Sequence, residues 1–307
     1  MIQAVQEQLG PENMDLEPFL DLVAVAIAAD IVPMTGENRV LMALGMATLN
    51  KDPRPGIRAL TEQTKKNIIG VTDVVFIIAP RINAAGRMHH GNYAVSLLAE
   101  NSIQKAREYA SEIESFNQER KGLDRQITEE ALAQISDLGE EDRYTSVVYK
   151  DNWHKGVIGI VASRLLEHYY KPTVILTRSN GFATGSARSV NGFDLYQAVE
   201  SCSDLLENFG GHTYAAGLTM KISNVEEFTR RFEKIVNETI DPEQLIPVVE
   251  IDTELKLSEI SDKFFRILKQ FQPFGPENTS PVFLSENVVD NGYGRQVGSG
   301  SEHLKLT

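Results

Sequence analysis

Apolar side chains recur three and four positions apart in the first part of the chain, which is the period of an amphipathic helix. Over residues 16–29 they predict a helix that ends near Asp30, because a proline follows shortly after it. Shorter apolar runs predict helices over 40–49 and 57–63, with glycine and proline marking the turns between them. The segment 80–87, Pro-Arg-Ile-Asn-Ala-Ala-Gly-Arg, interrupts the period and is predicted to be a loop.

A long polar segment follows this helical part. From Tyr93 to about Ile135 the chain has no proline and one glycine, Gly122, and it is rich in Ala, Glu, Lys, Gln and Arg. These residues favour helix, and a long helix that is polar on most faces often connects two domains. The pattern therefore predicts a connecting helix over 93–138, with the domain boundary along it.

Beyond this helix the pattern changes to short apolar stretches that alternate between strand and helix, which is typical of an α/β domain. A second change follows the linker Asp241-Pro242-Glu243, where two alternating stretches predict the start of a β domain. The fold class is therefore α/β with an added β segment. The predicted strands are 146–149, 173–176, 182–189, 216–220, 248–257 and 281–289, and the predicted helices are 157–168, 195–199 and 225–236.

Composition narrows the class of protein. The chain has 307 residues, of which 42% are hydrophobic and 24% are charged, as in ordinary globular proteins. Its one cysteine, Cys202, cannot form a disulfide within the chain. Its apolar runs fall short of the roughly 20 residues that a membrane span needs. We therefore expect a cytoplasmic location and no contact with a membrane.

The net charge of −13 argues against a broad basic surface for nucleic acid, because phosphate contacts need Lys and Arg. The charge is uneven along the chain, however. Residues 141–221 carry 8 basic and 8 acidic side chains, whereas residues 1–140 carry 13 and 20. A local phosphate-binding site is therefore compatible with the middle of the chain.

Two motifs in the helical part carry candidate chemistry. Asp30 ends an apolar helix just before a proline turn, so its carboxylate is held rigidly and would suit a hard cation such as Mg²⁺ or Mn²⁺. A helix-terminal Asp that caps the turn is the alternative, and the residues alone favour it. In the segment 80–87, Arg81, Asn83 and Arg87 surround small residues, and arginine forks bind phosphate. A structural turn with arginine salt bridges explains this second motif equally well.

The segment 152–164 passes from a predicted strand through glycines into a predicted helix. In this geometry the N-terminal amides of a helix bind an anion. His154 would contact a phosphate or a base there, and Trp153 would stack on a base. A packed tryptophan beside a capping histidine explains the same residues equally well.

Two further motifs lie in the α/β part. Ser186 and Arg188 are two apart on a predicted strand, so their side chains share a face and together can hold a terminal phosphate. A plain surface strand is the simpler alternative. Gly210 and Gly211 precede His212, and paired glycines let the backbone approach a ligand to which the imidazole donates. Two glycines, a histidine and further small residues together favour a binding role over a structural one.

In this order, the five motifs resemble those of RecJ-type single-strand-specific exonucleases, which belong to the DHH phosphoesterase family. The resemblance runs from about residue 16 to the end of the chain. It includes Phe274-Gly275-Pro276-Glu277-Asn278 and Pro281-Val282-Phe283, which are similar to the OB-fold of the family. It implies four parts: the C-terminal part of a DHH domain over 1–92, the connecting helix over 93–138, a DHH-associated substrate-binding domain over 139–242 and a partial OB-fold over 243–307.

The resemblance also implies a function. The family hydrolyses phosphodiesters of single-stranded DNA from the 5′ end with two metal ions, Mn²⁺ or Mg²⁺, in DNA repair and recombination. Asp30 would be a catalytic, metal-binding aspartate, and single-strand-binding or recombination proteins would be partners. The residues implied to hold the DNA and its phosphates are Arg81, Asn83, Arg87, His154, Ser186, Arg188, Gly210, Gly211 and His212.

The chain departs from the family pattern in its metal motifs. An Asp-His-His triplet and further metal-binding aspartates should precede Asp30, and this sequence has none; His89-His90 follows Met88 and is not such a triplet. The chain is therefore expected to be a truncated product that supplies nucleic-acid binding and is inactive alone. The alternatives are a non-catalytic single-strand-binding or scaffold derivative, and a DHH phosphodiesterase that acts on small dinucleotides.

Overall fold

The computed structural model describes residues 2–10, 15–64, 66–298, 300–301 and 303–306. Within them, a helical unit, one long helix and an α/β unit build three apolar cores. Of the helices described, none combines the length and the apolar character that crossing a membrane requires.

The N-terminal part is helical, and its apolar side chains meet in the first core. Buried Ala24, Ile57, Leu60 and Ile78 belong to this core. The three helices predicted before residue 64 are present, although two of them begin earlier than the pattern indicated. The helices are α1 (Ile2–Leu9), α2 (Leu20–Ala29), α3 (Gly36–Lys51), α4 (Pro55–Thr61), α5 (Val71–Asp73), α6 (Ala79–Met88) and α7 (Asn92–Ala99), with a π-helical turn at Val74–Ile78 before α6.

Residues 80–87 form a helix, so the prediction of a loop was wrong. They make up most of α6, whose first turn contains Pro80. A proline, which has no N–H to donate, is tolerated there because α6 continues directly from the π-helical turn at Val74–Ile78, where the regular hydrogen-bond ladder changes register. Ala84 and Ala85 are fully buried. The small residues that suggested a loop are therefore packing contacts.

The connecting helix is α8 (Ile103–Asp137), which spans 35 residues. It begins later than predicted, because the chain turns at Glu100, whose Oε1 accepts the backbone N–H groups of Asn101 and Ser102, both at 2.8 Å. This one helix contributes to two cores. Its buried residues are Ala106, Ala110 and Ile113 in the first core, and Ile127, Ala131 and Ile135 in the third.

A five-stranded sheet forms the α/β part, in the order β1-β2-β3-β5-β4. The first two strands pair in parallel and all other pairs are antiparallel. The sequence pattern missed the fourth strand, because it ends in Gly-Gly-His and glycine has a low strand propensity. The strands are β1 (Ser146–Lys150), β2 (Thr173–Ser179), β3 (Phe182–Arg188), β4 (Leu206–His212) and β5 (Ala215–Lys221), and the helices of this part are α9 (Ile158–Tyr169), α10 (Leu195–Glu200) and α11 (Val225–Thr239).

Helices cover the two faces of this sheet unequally. On one face, α10 and α11 pack over the second core, where Phe228 and Phe232 are fully buried. On the other face, α9 packs over β2 and β3. Gly217 on β5 and His212 on β4 are exposed. The β5 and β4 end of this second face is therefore open to solvent.

The C-terminal segment contains short strands and one helix, α12 (Asp262–Lys269). The strands predicted over 248–257 and 281–289 are each only two residues long. Among the described residues, their alternating apolar side chains belong to none of the three cores, and Val248 and Val249, for example, are exposed. The strands are β6 (Thr253–Glu254), β7 (Phe283–Leu284), β8 (Arg295–Val297) and β9 (His303–Lys305).

This segment rests on the turn between α2 and α3. The backbone N–H of Met34 donates to the carbonyl oxygen of Pro276 at 2.7 Å. Arg39 donates from Nη2 to the carbonyl oxygen of Phe271 at 2.9 Å. The motif predicted to belong to an OB-fold is therefore held against the helical unit by hydrogen bonds to its backbone.

Candidate nucleic-acid interface

Ser186 and Arg188 lie on β3 beneath the first turn of α9. Arg188 donates from Nη1 to the Ser186 hydroxyl at 2.9 Å and to the backbone oxygen of Ala187 at 2.7 Å. Gly159 in α9 faces this pair: a Cβ added there would lie 3.1 Å from Arg188 Nη2 and 3.1 Å from Ser186 Oγ. The absence of a side chain lets the helix N-terminus approach the pair, and the free amides of a helix N-terminus favour an anion.

Arg188 carries a positive charge that is partly removed from water. Burial lowers the pKa of its guanidinium, and the nearby charge of Arg87 lowers it further. Among the described residues, no carboxylate forms an ion pair with Arg188; its hydrogen bonds go to a hydroxyl and a backbone oxygen. A partly buried charge without a counter-ion is costly. This corner of the sheet is therefore suited to an anionic ligand.

Arg87 reaches the same corner from the helical unit. Its Nη1 donates to the backbone oxygen of Gly156, in the loop before α9, at 3.2 Å. The two backbones also touch, since a Cβ on Gly156 would lie 2.3 Å from the carbonyl oxygen of Arg87. The last turn of α6 is thus anchored against this loop, which brings the exposed Arg87 side chain close to Arg188.

The strand register places His212 in line with Arg188. Arg188 on β3 is opposite Ala215 on β5, which is opposite His212 on β4. Residues that are directly opposite share a face of the sheet. Neighbouring strands are about 4.8 Å apart, so the backbones of Arg188 and His212 are roughly 10 Å apart.

Between these two residues the sheet has a glycine floor. Ser186 is opposite Gly217, which is opposite Gly210. Both glycines are exposed, and a Cβ on Gly210 would meet no atom within 4 Å. The space above the floor is therefore open to a ligand that extends from Arg188 to His212.

Gly211, next to this floor, is explained by strand packing. A Cβ there would lie 2.2 Å from the carbonyl oxygen of Ala215, which is well inside contact distance. Only glycine therefore lets β4 and β5 approach so closely at the end of their hairpin.

His154, before α9, and His212 are held in the same way. In each ring Nδ1 accepts a backbone N–H two residues later, from Gly156 at 3.2 Å and from Tyr214 at 3.3 Å. An accepting Nδ1 carries no proton, so the proton of each neutral imidazole is on Nε2. Both rings can therefore donate to a phosphate oxygen or to a base without being charged.

Arg81 lies on a different face of α6 from Arg87. Its Nε is 2.6 Å from Glu114 Oε2, an ion pair without the alignment of a hydrogen bond, and its Nη1 donates to the Ile77 oxygen at 2.7 Å. Asn83 is exposed and lies one turn before Arg87 on the same helix face. The structure therefore brings Asn83 and Arg87 to one surface, whereas Arg81 joins α6 to α8.

Asp30 is the exposed residue that follows the last turn of α2. In the part of the chain that the structure describes, no group of three or more His, Cys, Asp or Glu side chains is arranged to hold a metal ion. A two-metal centre takes most of its ligands from carboxylates. Asp30 alone, as one exposed carboxylate, is therefore not enough to hold such a centre.

Sequence analysis missed Glu130, which lies on α8 and holds the loop of His154. Glu130 accepts hydrogen bonds from Trp153 Nε1 at 2.7 Å, Lys150 Nζ at 2.9 Å and Gln126 Nε2 at 2.9 Å. The bond from Trp153 is the largest of the causes that lower the pKa of Glu130 to about 2. Trp153 is 5% exposed, so its ring is packed and cannot stack on a base. Residues in separate elements meet here, and no spacing in the sequence indicates it.

Two family models match this arrangement. The DHHA1 domain matches residues 142–238, which contain the sheet, and the RecJ OB domain matches residues 251–307. The chain is also 36% identical, over 95% of its length, to the single-stranded-DNA-specific exonuclease RecJ of Bacillus subtilis. It belongs to the RecJ family. The predicted family and the predicted fold, an α/β domain followed by an OB segment, are thereby confirmed.

The RecJ relatives are longer than this chain. It spans 37% of the Bacillus subtilis protein and 55% of the RecJ of Haemophilus influenzae, to which it is 32% identical over 99% of its own length. A solved structure of RecJ from Thermus thermophilus in complex with Mn²⁺ matches 99% of this chain and 44% of that chain, with 30% identity and a TM-score of 0.87. The same protein in complex with Mg²⁺ matches with a TM-score of 0.86.

Proposed function

We propose that this chain supplies the nucleic-acid-binding part of a single-strand-specific DNA exonuclease, and that Ser186 and Arg188 hold the 5′-terminal phosphate of the substrate. One observation carries the proposal: Arg188 is partly buried, has no carboxylate partner among the described residues, and lies at the N-terminus of α9 beside Arg87. An arginine fork, a hydroxyl and helix amides are the donors that a terminal phosphate accepts together.

The remaining residues of the interface would hold the first nucleotide. The glycine floor at Gly210 and Gly217 leaves room for a sugar or a base against the sheet. His212, in line with Arg188, and His154, in the loop before α9, each present an Nε2 donor. Donors of this kind recognise phosphate oxygens and base edges without requiring one sequence. We therefore expect binding that depends on the 5′ phosphate more than on the base.

We attribute no bond-breaking step to the residues of this chain. The complete enzyme would hydrolyse single-stranded DNA from the 5′ end with Mn²⁺ or Mg²⁺, the ions in complex with the Thermus thermophilus protein. Asp30 would add one carboxylate to that centre. The chain by itself is expected to leave a 5′-phosphorylated single strand intact in the presence of Mn²⁺. Its rapid degradation by this purified chain would contradict that expectation.

Binding of labelled single strands to the full chain tests the proposal. We expect wild type to bind a 5′-phosphorylated strand more tightly than a 5′-hydroxyl strand, and Arg188→Met to bind the two equally. Arg230→Met is the matched control, because Arg230 is exposed on α11 and pairs only with Glu227 among the described residues. Arg188→Met that retains the full preference would refute the phosphate site.

Competition separates this function from hydrolysis of small dinucleotides. The match of residues 251–307 to the RecJ OB domain favours a longer strand, because OB-folds bind several nucleotides in a row. A longer single strand should therefore displace a labelled strand at lower concentration than a dinucleotide does. Single-strand-binding and recombination proteins stay predicted partners, and a cytoplasmic location stays a prediction.

A further inference from the structure

A second group of cations lies on α8 and α9, outside the proposed phosphate site at Ser186 and Arg188. Arg120, Lys121 and Arg125 on α8 and Arg164 on α9 line one cavity of about 460 Å³. Two carboxylates, Asp124 and Glu129, line it as well. The lining has four basic and two acidic side chains, so the cavity is net positive. The whole chain, in contrast, has a net charge of −13.

One of these carboxylates, Asp124, already interacts with two arginines. Buried Asp124 accepts Nε of Arg164 at 2.7 Å and Nη2 of Arg164 at 2.9 Å. Arg120 Nη1 is 3.8 Å from the same carboxylate. Burial lowers the pKa of Arg120; Asp124 raises it, and the charges of Arg87 and Arg164 lower it. Positive charge therefore exceeds negative charge at the base of the cavity.

The rim of the cavity offers further donors. Lys121 and Arg125 are exposed, one turn apart on α8, and neither forms an ion pair with a described residue. The hydroxyl of Thr128, which also lines the cavity, is buried and has no hydrogen-bond partner among the described residues. Free cations around an unpartnered hydroxyl suit a ligand that is anionic and rich in acceptors.

This cavity continues the interface at Arg188. The two groups lie along one helix: Gly159 in the first turn of α9 faces Ser186 and Arg188, and Arg164, five residues further along α9, lines the cavity. We propose that Lys121 and Arg125, backed by Arg120 and Arg164, bind an internal phosphodiester of the single strand whose 5′-terminal phosphate is held at Ser186 and Arg188. This inference rests on the proposed function and extends it from a terminal phosphate to a path along α8.

Salt dependence measures such a contact directly. Each phosphate contact to a single strand adds about 0.7 to the slope of log affinity against log salt concentration. For a 5′-phosphorylated strand of about twelve nucleotides, the double variant Lys121→Gln/Arg125→Gln should lower the slope by about 0.7, and each single variant should lower it by part of that amount. Lys105→Gln is the matched control, because Lys105 is an exposed cation on the same helix without an ion pair to a described residue. It should leave the slope unchanged.

Two readouts separate this inference from the proposed function. Lys121→Gln and Arg125→Gln should keep the preference for a 5′ phosphate and should bind a 5′-phosphorylated dinucleotide as wild type does. If wild type shows the 5′ preference but both variants keep the wild-type slope, the internal phosphate site is refuted and the terminal site stands. Weaker binding of the dinucleotide by both variants would also overturn a separate internal site. Wild type without a 5′ preference would instead refute the proposed function.

Discussion

The carboxylate of Glu130 accepts a hydrogen bond of 2.7 Å from the indole nitrogen of Trp153, and this contact ties the connecting helix to the loop that carries His154. The same loop is fixed from the sheet side, where the Thr177 hydroxyl donates to the Trp153 oxygen at 2.8 Å. Glu130 therefore holds the loop of His154, and we expect it to affect binding through that loop.

Replacement of Glu130 should weaken binding through the loop. Glu130→Gln removes the negative charge to which Lys150 and Trp153 both donate hydrogen bonds. We expect a loss of roughly tenfold in affinity for a 5′-phosphorylated single strand, about 1.4 kcal/mol. Trp153 is the only tryptophan of the chain, so its fluorescence reports on this loop alone. Glu112→Gln, an exposed residue of the same helix, is the matched control.

A double-mutant cycle distinguishes positioning from general stability. Trp153→Phe removes the indole donor, so adding Glu130→Gln to it should weaken binding much less than Glu130→Gln does in wild type. Glu130→Gln with altered Trp153 fluorescence and unchanged affinity would show that the contact is purely structural.

The low pKa of Glu130 predicts a specific dependence of stability on pH. Its folded-state pKa is about 2, below the value of about 4.3 for an unfolded glutamate. The ionised carboxylate therefore stabilises the fold above about pH 4.3, and this contribution is lost as the pH falls toward about 2. Urea unfolding should show a difference between wild type and Glu130→Gln that is constant near neutral pH and shrinks in acid. A difference that grows as the pH falls would contradict this assignment.

The two arginines of α6 should behave in opposite ways. Arg81→Met breaks the mostly buried pair with Glu114 and should lower the free energy of unfolding by roughly 1–3 kcal/mol, with little effect on binding by the folded protein. Arg87→Met should leave stability nearly unchanged and weaken binding of a 5′-phosphorylated strand. Chemical unfolding and binding assays on the same two variants measure both quantities. The reverse outcome would place Arg81 in the interface.

The paired glycines provide a matched test of the β4–β5 hairpin. Gly211→Ala places a Cβ 2.2 Å from a backbone oxygen and should destabilise the fold by roughly 1–3 kcal/mol. Gly210→Ala meets open space, so it should leave the unfolding transition nearly unchanged. Thermal unfolding compares the two directly, and equal stability of both variants would be inconsistent with the close approach of β4 and β5 at Gly211.

The sequence predicts elements well where the apolar period is strong, as in α9, α11 and β3. It fails where one residue type has two uses. Pro80 and the alanines after it indicated a loop, but a proline fits the first turn of α6 and the alanines fill its core. The glycines of β4 indicated a ligand-binding turn, whereas one of them also lets two strands approach.

The candidate site was predictable only in part. Ser186 and Arg188 share a strand face by the two-residue period alone, and the structure pairs them. The convergence of Arg87 with that pair depends on how α6 docks against Gly156, far away in the sequence. The same is true of Glu130 with Trp153 and of Asp124 with Arg164. Such contacts follow from the packing of α8 against both units, which no local pattern encodes.

Arg188, a partly buried arginine without a carboxylate partner among the described residues, is proposed to hold a terminal phosphate. Isothermal titration of the wild-type chain compares single strands that differ only in a 5′ phosphate or a 5′ hydroxyl. We expect the phosphorylated strand to bind at least about tenfold more tightly, a difference of about 1.4 kcal/mol. Equal affinity for the two strands would rule out the phosphate site at Arg188.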